Sequence, residues 1–129
     1  MIWAPTGEPA FECPCCHYPT LSGRAIFEIC DVCGWEDEFQ VYPPPDTVIG
    51  GANGDYSMTE ARENFKQYGY KYRPSDLRFT NDPEELQLRW RIQKVFAEIK
   101  RSGPNAELYK ELEELQARKS ELVLAKQPK

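Results

Sequence analysis

The sequence predicts an α+β fold: a small cysteine-bearing β module, then one helix, then a C-terminal antiparallel helical hairpin. Three observations lead there. All five cysteines lie between residues 13 and 33, among turn signals and short apolar runs. A capped helical pattern starts at Ser57. Two longer helical stripes, separated by Gly103-Pro104, fill the rest of the chain. These patterns divide the chain into a module over 1–69 and a linker plus helical hairpin over 70–129, packed on the module or on a partner.

Cys13/Cys16 and Cys30/Cys33 each form a C-x2-C pair, with thirteen residues between the pairs. A tight turn of this spacing points two sulfurs at one place, and two such turns complete a tetrahedron around zinc, with Zn–S of about 2.3 Å. Pro14 stiffens the first turn, and Gly34 frees the backbone after the second so that its amide can approach sulfur. Cys13, Cys16, Cys30 and Cys33 are therefore the predicted ligands of one structural zinc ion, in a zinc-ribbon-like module. A disulfide framework suits an odd number of cysteines poorly, and a thioredoxin-like pair lacks its βαβ context. An iron centre of rubredoxin type uses the same ligands. Cys15 is left over and is expected on the outside of its turn. His17 is read as a residue near the site or on the surface, not a ligand. Four protein ligands leave no open position for substrate, and no nucleophile–histidine constellation is visible, so no enzyme is predicted.

Between the pairs, residues 21–25 read as a turn, and Ala25-Ile26-Phe27-Glu28-Ile29 as a short strand. Residues 34–41 read as a further strand or an irregular edge. So small a module buries little apolar surface, and zinc supplies a staple of about 10–16 kcal/mol in finger peptides. Pro43-Pro44-Pro45 is a stiff connection. The glycines of residues 50–54 suggest a phosphate cradle, but the lysine and hydroxyl of a P-loop are missing.

The helices come next. Ser57 and Glu60 form a capping box, and the helix stops at Gly69, with Ala61, Phe65 and Tyr68 on one face. Asn81 or Asp82 caps a second helix with Pro83 at its first position, running to about Arg101. Leu88, Ile92, Val95, Phe96 and Ile99 form its stripe. A third helix spans about 105–125, striped by Leu108, Leu112, Leu115 and Leu122 and interrupted by Lys119.

Charge is divided unevenly. Residues 1–60 carry ten acids against Arg24 alone, whereas residues 61–129 carry eleven acids and fifteen bases. The first part thus stands at -9 and the second at +4. Four thiolates and one zinc ion take the first part to -11. Such a surface repels nucleic acid and steers a basic partner, with Asp31, Glu36, Asp37 and Glu38 as the steering residues. The opening residues show neither a basic start nor an apolar run, and no stretch is long enough to span a membrane. A cytosolic location with reduced thiols is expected.

Cys13-Pro14-Cys15-Cys16, Cys30-Asp31-Val32-Cys33-Gly34-Trp35-Glu36-Asp37, Gly50-Gly51-Ala52-Asn53-Gly54 and the stretch from Thr59 to Phe65 carry a resemblance. Over about residues 11–69 the chain resembles the bacterial cysteine-rich CPCC family. The resemblance implies a zinc-ribbon-like domain and transfers no catalytic residue. His17 stands where that family commonly has glycine, which bears on the shape of the turn. The functional expectation is a protein-interaction protein, most specifically an immunity or antitoxin-like protein that binds a basic toxin. One alternative is a nucleic-acid-binding zinc ribbon using Lys71, Arg73, Arg78, Arg89, Arg91 and Lys94, helped by the tyrosines of the 70–81 loop. The other is thiol redox chemistry through Cys15 and Cys16.

Overall fold

Each cysteine pair sits in a six-residue turn, and the two turns repeat one hydrogen-bond pattern. In the first, the Cys13 amide donates to the Tyr18 carbonyl and the His17 amide to the Cys13 carbonyl, at 2.9 and 2.8 Å. In the second, the Cys30 amide donates to Trp35 and the Gly34 amide to Cys30, both at 2.9 Å. The fifth residue of each turn is left-handed, His17 at φ 63° and Gly34 at φ 83°. Glycine takes that conformation freely, whereas another residue is strained by about 1–2 kcal/mol. At Gly34 a Cβ would also meet the Tyr72 hydroxyl at 2.9 Å.

These relations come from a computed structural model that describes residues 2–3, 9–103 and 105–125. Strands β1 (Ile2–Trp3), β2 (Pro9–Glu12) and β3 (Pro19–Leu21) form an antiparallel sheet in the order β1-β2-β3. Ile2 pairs with Ala10, and Phe11 with Leu21, with an irregularity between Phe11 and Glu12. The first cysteine turn is therefore the loop of the β2–β3 hairpin. The sheet was not foreseen, because its strands are two to four residues long and two begin at or near proline.

The predicted strand over residues 25–29 does not form. Only a single bridge, Ile29 to Glu36, flanks the second turn. Ala25 and Phe27 sit at φ 58° and 62°, which breaks the extended conformation. The 34–41 stretch takes the irregular form of the two foreseen.

The helices follow their local signals. Helix α1 is Met58–Tyr68, α2 is Pro83–Ser102 and α3 is Ala106–Ala125. The Ser57 hydroxyl accepts the Glu60 amide at 3.1 Å, and Gly69 closes α1 at φ 85°. The Glu60 carboxylate binds Arg73 instead of completing the capping box. Asp82 caps α2 through the Glu84 and Glu85 amides, and Asn105 receives the Glu107 and Leu108 amides at the start of α3. None of the described helices is long and apolar enough to cross a membrane.

The helical hairpin packs on the module. One cluster of buried residues joins Cys13, Cys30, Leu21 and Trp35 to Ile92, Phe96, Ile99, Leu112 and Leu115. Tyr18, from the first turn, sits edge-on to Phe65 of α1 and stacks on Phe96 of α2, with centroids at 6.0 and 6.3 Å.

Replacing His17 with glycine is expected to raise stability by about 0.5–1 kcal/mol, since relief of left-handed strain exceeds the added unfolded-state entropy. Thermal unfolding at fixed metal content measures this. A lower midpoint would show that the imidazole's contacts outweigh the strain.

Candidate metal centre

The equivalent turns bring four sulfurs together. The Sγ atoms of Cys13, Cys16, Cys30 and Cys33 all lie within 4.8 Å of one another, and all four residues are buried. Cys13 and Cys33 are 3.6 Å apart, and Cys16 and Cys30 3.7 Å. A tetrahedron with metal–sulfur bonds of about 2.3 Å has edges of about 3.8 Å. The four residues named from their spacing thus converge in a set that can hold one metal ion. All five cysteines are free thiols.

Backbone and hydroxyl donors are aimed at the sulfurs. Cys30 Sγ accepts the Val32 and Cys33 amides at 3.4 and 3.5 Å and the Thr20 hydroxyl at 3.0 Å. Cys33 Sγ accepts the Trp35 amide at 3.5 Å. The Gly34 amide, expected at a sulfur, goes to the Cys30 carbonyl because it closes the turn. Burial opposes ionisation of Cys30, yet hydrogen bonds from Cys13, Cys16, Cys33 and the Cys33 amide outweigh it and hold the thiol well below its ordinary pKa. Burial and its four cysteine neighbours push Cys33 well above that value. Without a cation, the cluster favours one thiolate over its neighbours.

Cys15 is not on the outside of its turn. It is 2% exposed and belongs to the cluster of buried residues that contains the other four cysteines. With Cys16 and His17 it lines a surface cleft closed on the other side by Pro45, Thr59, Arg62 and Phe65. His17 is exposed and outside the sulfur set, and burial followed by the charges of Arg62 and Lys100 lowers its pKa.

Cations from the second half of the chain grip the turns from outside. Arg62 donates to the Pro14 carbonyl at 2.8 Å, Lys100 to His17 at 2.8 Å and Lys119 to Asp31 at 2.9 Å. Lys119, which interrupts the α3 stripe in sequence, thereby ties that helix to the second turn. Ion pairs of Lys100 with Glu12 and of Arg73 with Asp55 and Glu60 satisfy part of the charge complementarity between the halves within the chain.

Lys71 goes further inward. It is 2% exposed, its amide donates to the Cys33 carbonyl at 2.8 Å, and its ammonium reaches Asn53 Oδ1 at 3.0 Å. Trp35, Tyr56 and Tyr72 surround that ammonium at 5.4–5.9 Å from their ring centroids. Burial, then Arg78, lowers its pKa, while the Cys33 and Cys15 sulfurs oppose the shift. Asn53 also binds both backbone polar groups of Glu36, at 2.9 and 2.8 Å. These contacts give Asn53 and Lys71 a place beside the metal site that no local pattern announces.

Most of the residues proposed to meet nucleic acid are engaged elsewhere. Lys71 is buried. Arg73 binds Glu60 and Asp55 and lies 4.0 Å from the Tyr56 ring. Arg78 binds Asp76 and covers Tyr72, and Arg89 binds Glu85 and covers Tyr70. Arg91 and Lys94 remain exposed. The tyrosines and arginines of this region stack on one another.

The steering acids divide as well. Asp37 is 0% exposed and accepts Arg24 Nε at 2.6 Å, the Ala25 amide at 3.0 Å and the Tyr42 hydroxyl at 2.8 Å. It is a structural anchor and not a steering charge. Burial raises its pKa, but these three donors outweigh that and hold it below the usual carboxylate value. The Glu38 carboxylate lies against Gly51 and accepts the Ala52 amide. An acid thus fills the position that a phosphate cradle would need empty.

Residues 11–86 match the model of the cysteine-rich CPCC family, more than half of the chain. The chain belongs to that family. The match extends past the 11–69 stretch that carried the resemblance and into the first turn of α2. Searches of curated proteins and of solved structures gave no match.

Cys15→Ala is expected to retain metal and lose about 1–2 kcal/mol from the small cavity it leaves, whereas Cys30→Ser is expected to lose the metal. Elemental analysis of the purified variants decides between them. Equal metal content in both would reject the ligand set. Asp37→Asn is expected to cost about 3 kcal/mol, because Arg24 loses its buried partner. The folded pKa of Asp37 lies below its unfolded one, so its contribution is complete above about pH 4 and is lost as pH falls through the folded value. The variant should therefore unfold with a flatter acid limb, measured by denaturation at several pH values with metal content checked.

Proposed function

We propose that this chain is a protein-interaction protein whose fold is stapled by one zinc ion, and that it binds rather than catalyses. One observation carries the proposal: four buried sulfurs lie within 4.8 Å of one another, and a metal closed by four protein ligands keeps no open position for substrate. Zinc is the metal proposed because sulfur-only tetrahedral sites suit it, and iron is the alternative with the same ligands. When bound, it neutralises two of four thiolate charges and ties the two turns together. The chain's own part is to hold the sulfurs in place through the Thr20 hydroxyl, the turn amides and the cation-gripped carbonyls.

Arg62, Lys71, Arg73, Arg89 and Lys119 are drawn into contacts within the chain, while residues 1–60 carry ten acids against Arg24 alone. That imbalance supports a basic protein as the partner. An immunity or antitoxin-like role, with a basic bacterial toxin bound in the cytosol, is the most specific form of the proposal. Calorimetric titration of the metal-loaded protein with any toxin encoded beside its gene tests it. Saturable binding that weakens with salt is expected. Absence of binding at low salt, together with a nucleic-acid titration that saturates, would reverse the assignment in favour of the exposed Arg91 and Lys94 face.

A further inference from the structure

The apolar run Ala25-Ile26-Phe27-Glu28-Ile29 contributes nothing to the core. Ile26, Phe27 and Ile29 are 56%, 63% and 58% exposed, and Phe39 and Val41 continue the exposed apolar surface at 39% and 84%. In a strand, neighbouring side chains alternate between faces and half of this run would turn inward. Here the left-handed residues Ala25 and Phe27 break the alternation. Each costs about 1–2 kcal/mol and persists only where its surroundings impose it.

The imposing group is Asp37. Its carboxylate holds Arg24 and the Ala25 amide, its carbonyl accepts the Phe27 amide at 3.0 Å, and its own amide donates to Glu28 at 3.0 Å. Arg24 also reaches the Phe39 carbonyl at 3.2 Å. Tyr42 and the Trp35 indole complete the network from below. Residues 24–29 and 36–39 thus form one arm, pinned from inside, with its apolar side chains outward.

The rim of this arm is acidic. Arg24 is neutralised by Asp37, and Asp31 faces Lys119 at the far end. Glu28, Glu36 and Glu38 are half-buried and have no ion-pair partner among the described residues; Glu28 accepts the Ser22 amide and hydroxyl and Glu38 the Ala52 amide, contacts that leave their negative charge in place. Their charges decide the occupant. An anionic membrane is repelled. A second copy docked through the same arm would place these acids against themselves.

We propose that this arm is the docking surface for a basic protein segment, whose apolar side chains cover Ile26, Phe27 and Ile29 while its lysines or arginines meet Glu28, Glu36 and Glu38. A rigid aromatic anchor inside a polar rim is the arrangement that concentrates binding energy. The inference rests on the protein-binding reading above and adds the surface and the chemistry of its partner.

The test is selection of random dodecapeptides displayed on phage against the metal-loaded protein, followed by titration of the selected peptides and amide shift mapping by NMR. Enriched peptides are expected to combine lysine or arginine with aromatic or aliphatic residues and to weaken with added salt. Phe27→Ser and, independently, Ile26→Ser should each weaken them about tenfold or more. Leu77→Ser, an exposed position outside the arm, should not. Both arm side chains are solvent-exposed, so their removal leaves the fold intact, which metal content and circular dichroism verify. Shifts should fall on residues 24–29 and 36–41. The proposal is overturned by acidic peptides, by peptides indifferent to both arm substitutions, by self-association abolished by Phe27→Ser, or by binding to anionic vesicles. Basic peptides that map to the helical hairpin overturn this surface while leaving the protein-binding reading standing.

Discussion

Four cysteine sulfurs drawn within 4.8 Å of one another are the constraint on which the rest of the structure depends. Thiols so close and so buried cannot all ionise unless a cation joins them. Everything around them lowers the cost of that arrangement. Both turns expose amide hydrogens towards sulfur or close on their own carbonyls, and the outward carbonyls are gripped by Arg62, Lys100 and Lys119. The buried ammonium of Lys71 stands behind the second turn, held by Asn53 and three aromatic rings. The helices α1 to α3 therefore act as the outer half of the metal site as well as its hydrophobic support.

This changes the meaning of the charge imbalance. An acidic first half and a basic second half read in sequence as a surface seeking a partner. In the folded chain part of that attraction is internal, because Lys100 pairs with Glu12 and Arg73 with Asp55 and Glu60. Among the described acids of the first half, Glu28, Glu36 and Glu38 lie along the apolar arm without an ion-pair partner. The same internal pairing explains why the tyrosines and arginines of residues 70–89 are poor candidates for stacking on nucleic acid, since they already stack on each other.

The features legible in sequence were those governed by a few consecutive residues. The C-x2-C spacings, the Ser57 and Asp82 caps, Gly69, and the stripes of α2 and α3 all act over one or two turns of chain. The family motif covered residues whose purpose only the fold reveals. Asn53 sits in a glycine-rich loop yet serves Glu36 and Lys71, and Arg62 lies in α1 yet serves Pro14. The misreadings share one cause. Residues 25–29 have strand composition, but Asp37, twelve residues from Ala25, imposes left-handed backbone on them. Cys15 is buried, and no local pattern records which way a turn residue faces once helices close over it. The β1–β3 sheet is too short for periodicity to show.

The account rests on a single metal ion held by sulfur alone. X-ray absorption at the metal edge of the protein, purified without added chelator, measures this directly. The account predicts zinc with four sulfur scatterers at about 2.3 Å and no nitrogen or oxygen neighbour. A shell containing nitrogen or oxygen, or an edge that is not zinc, would contradict it.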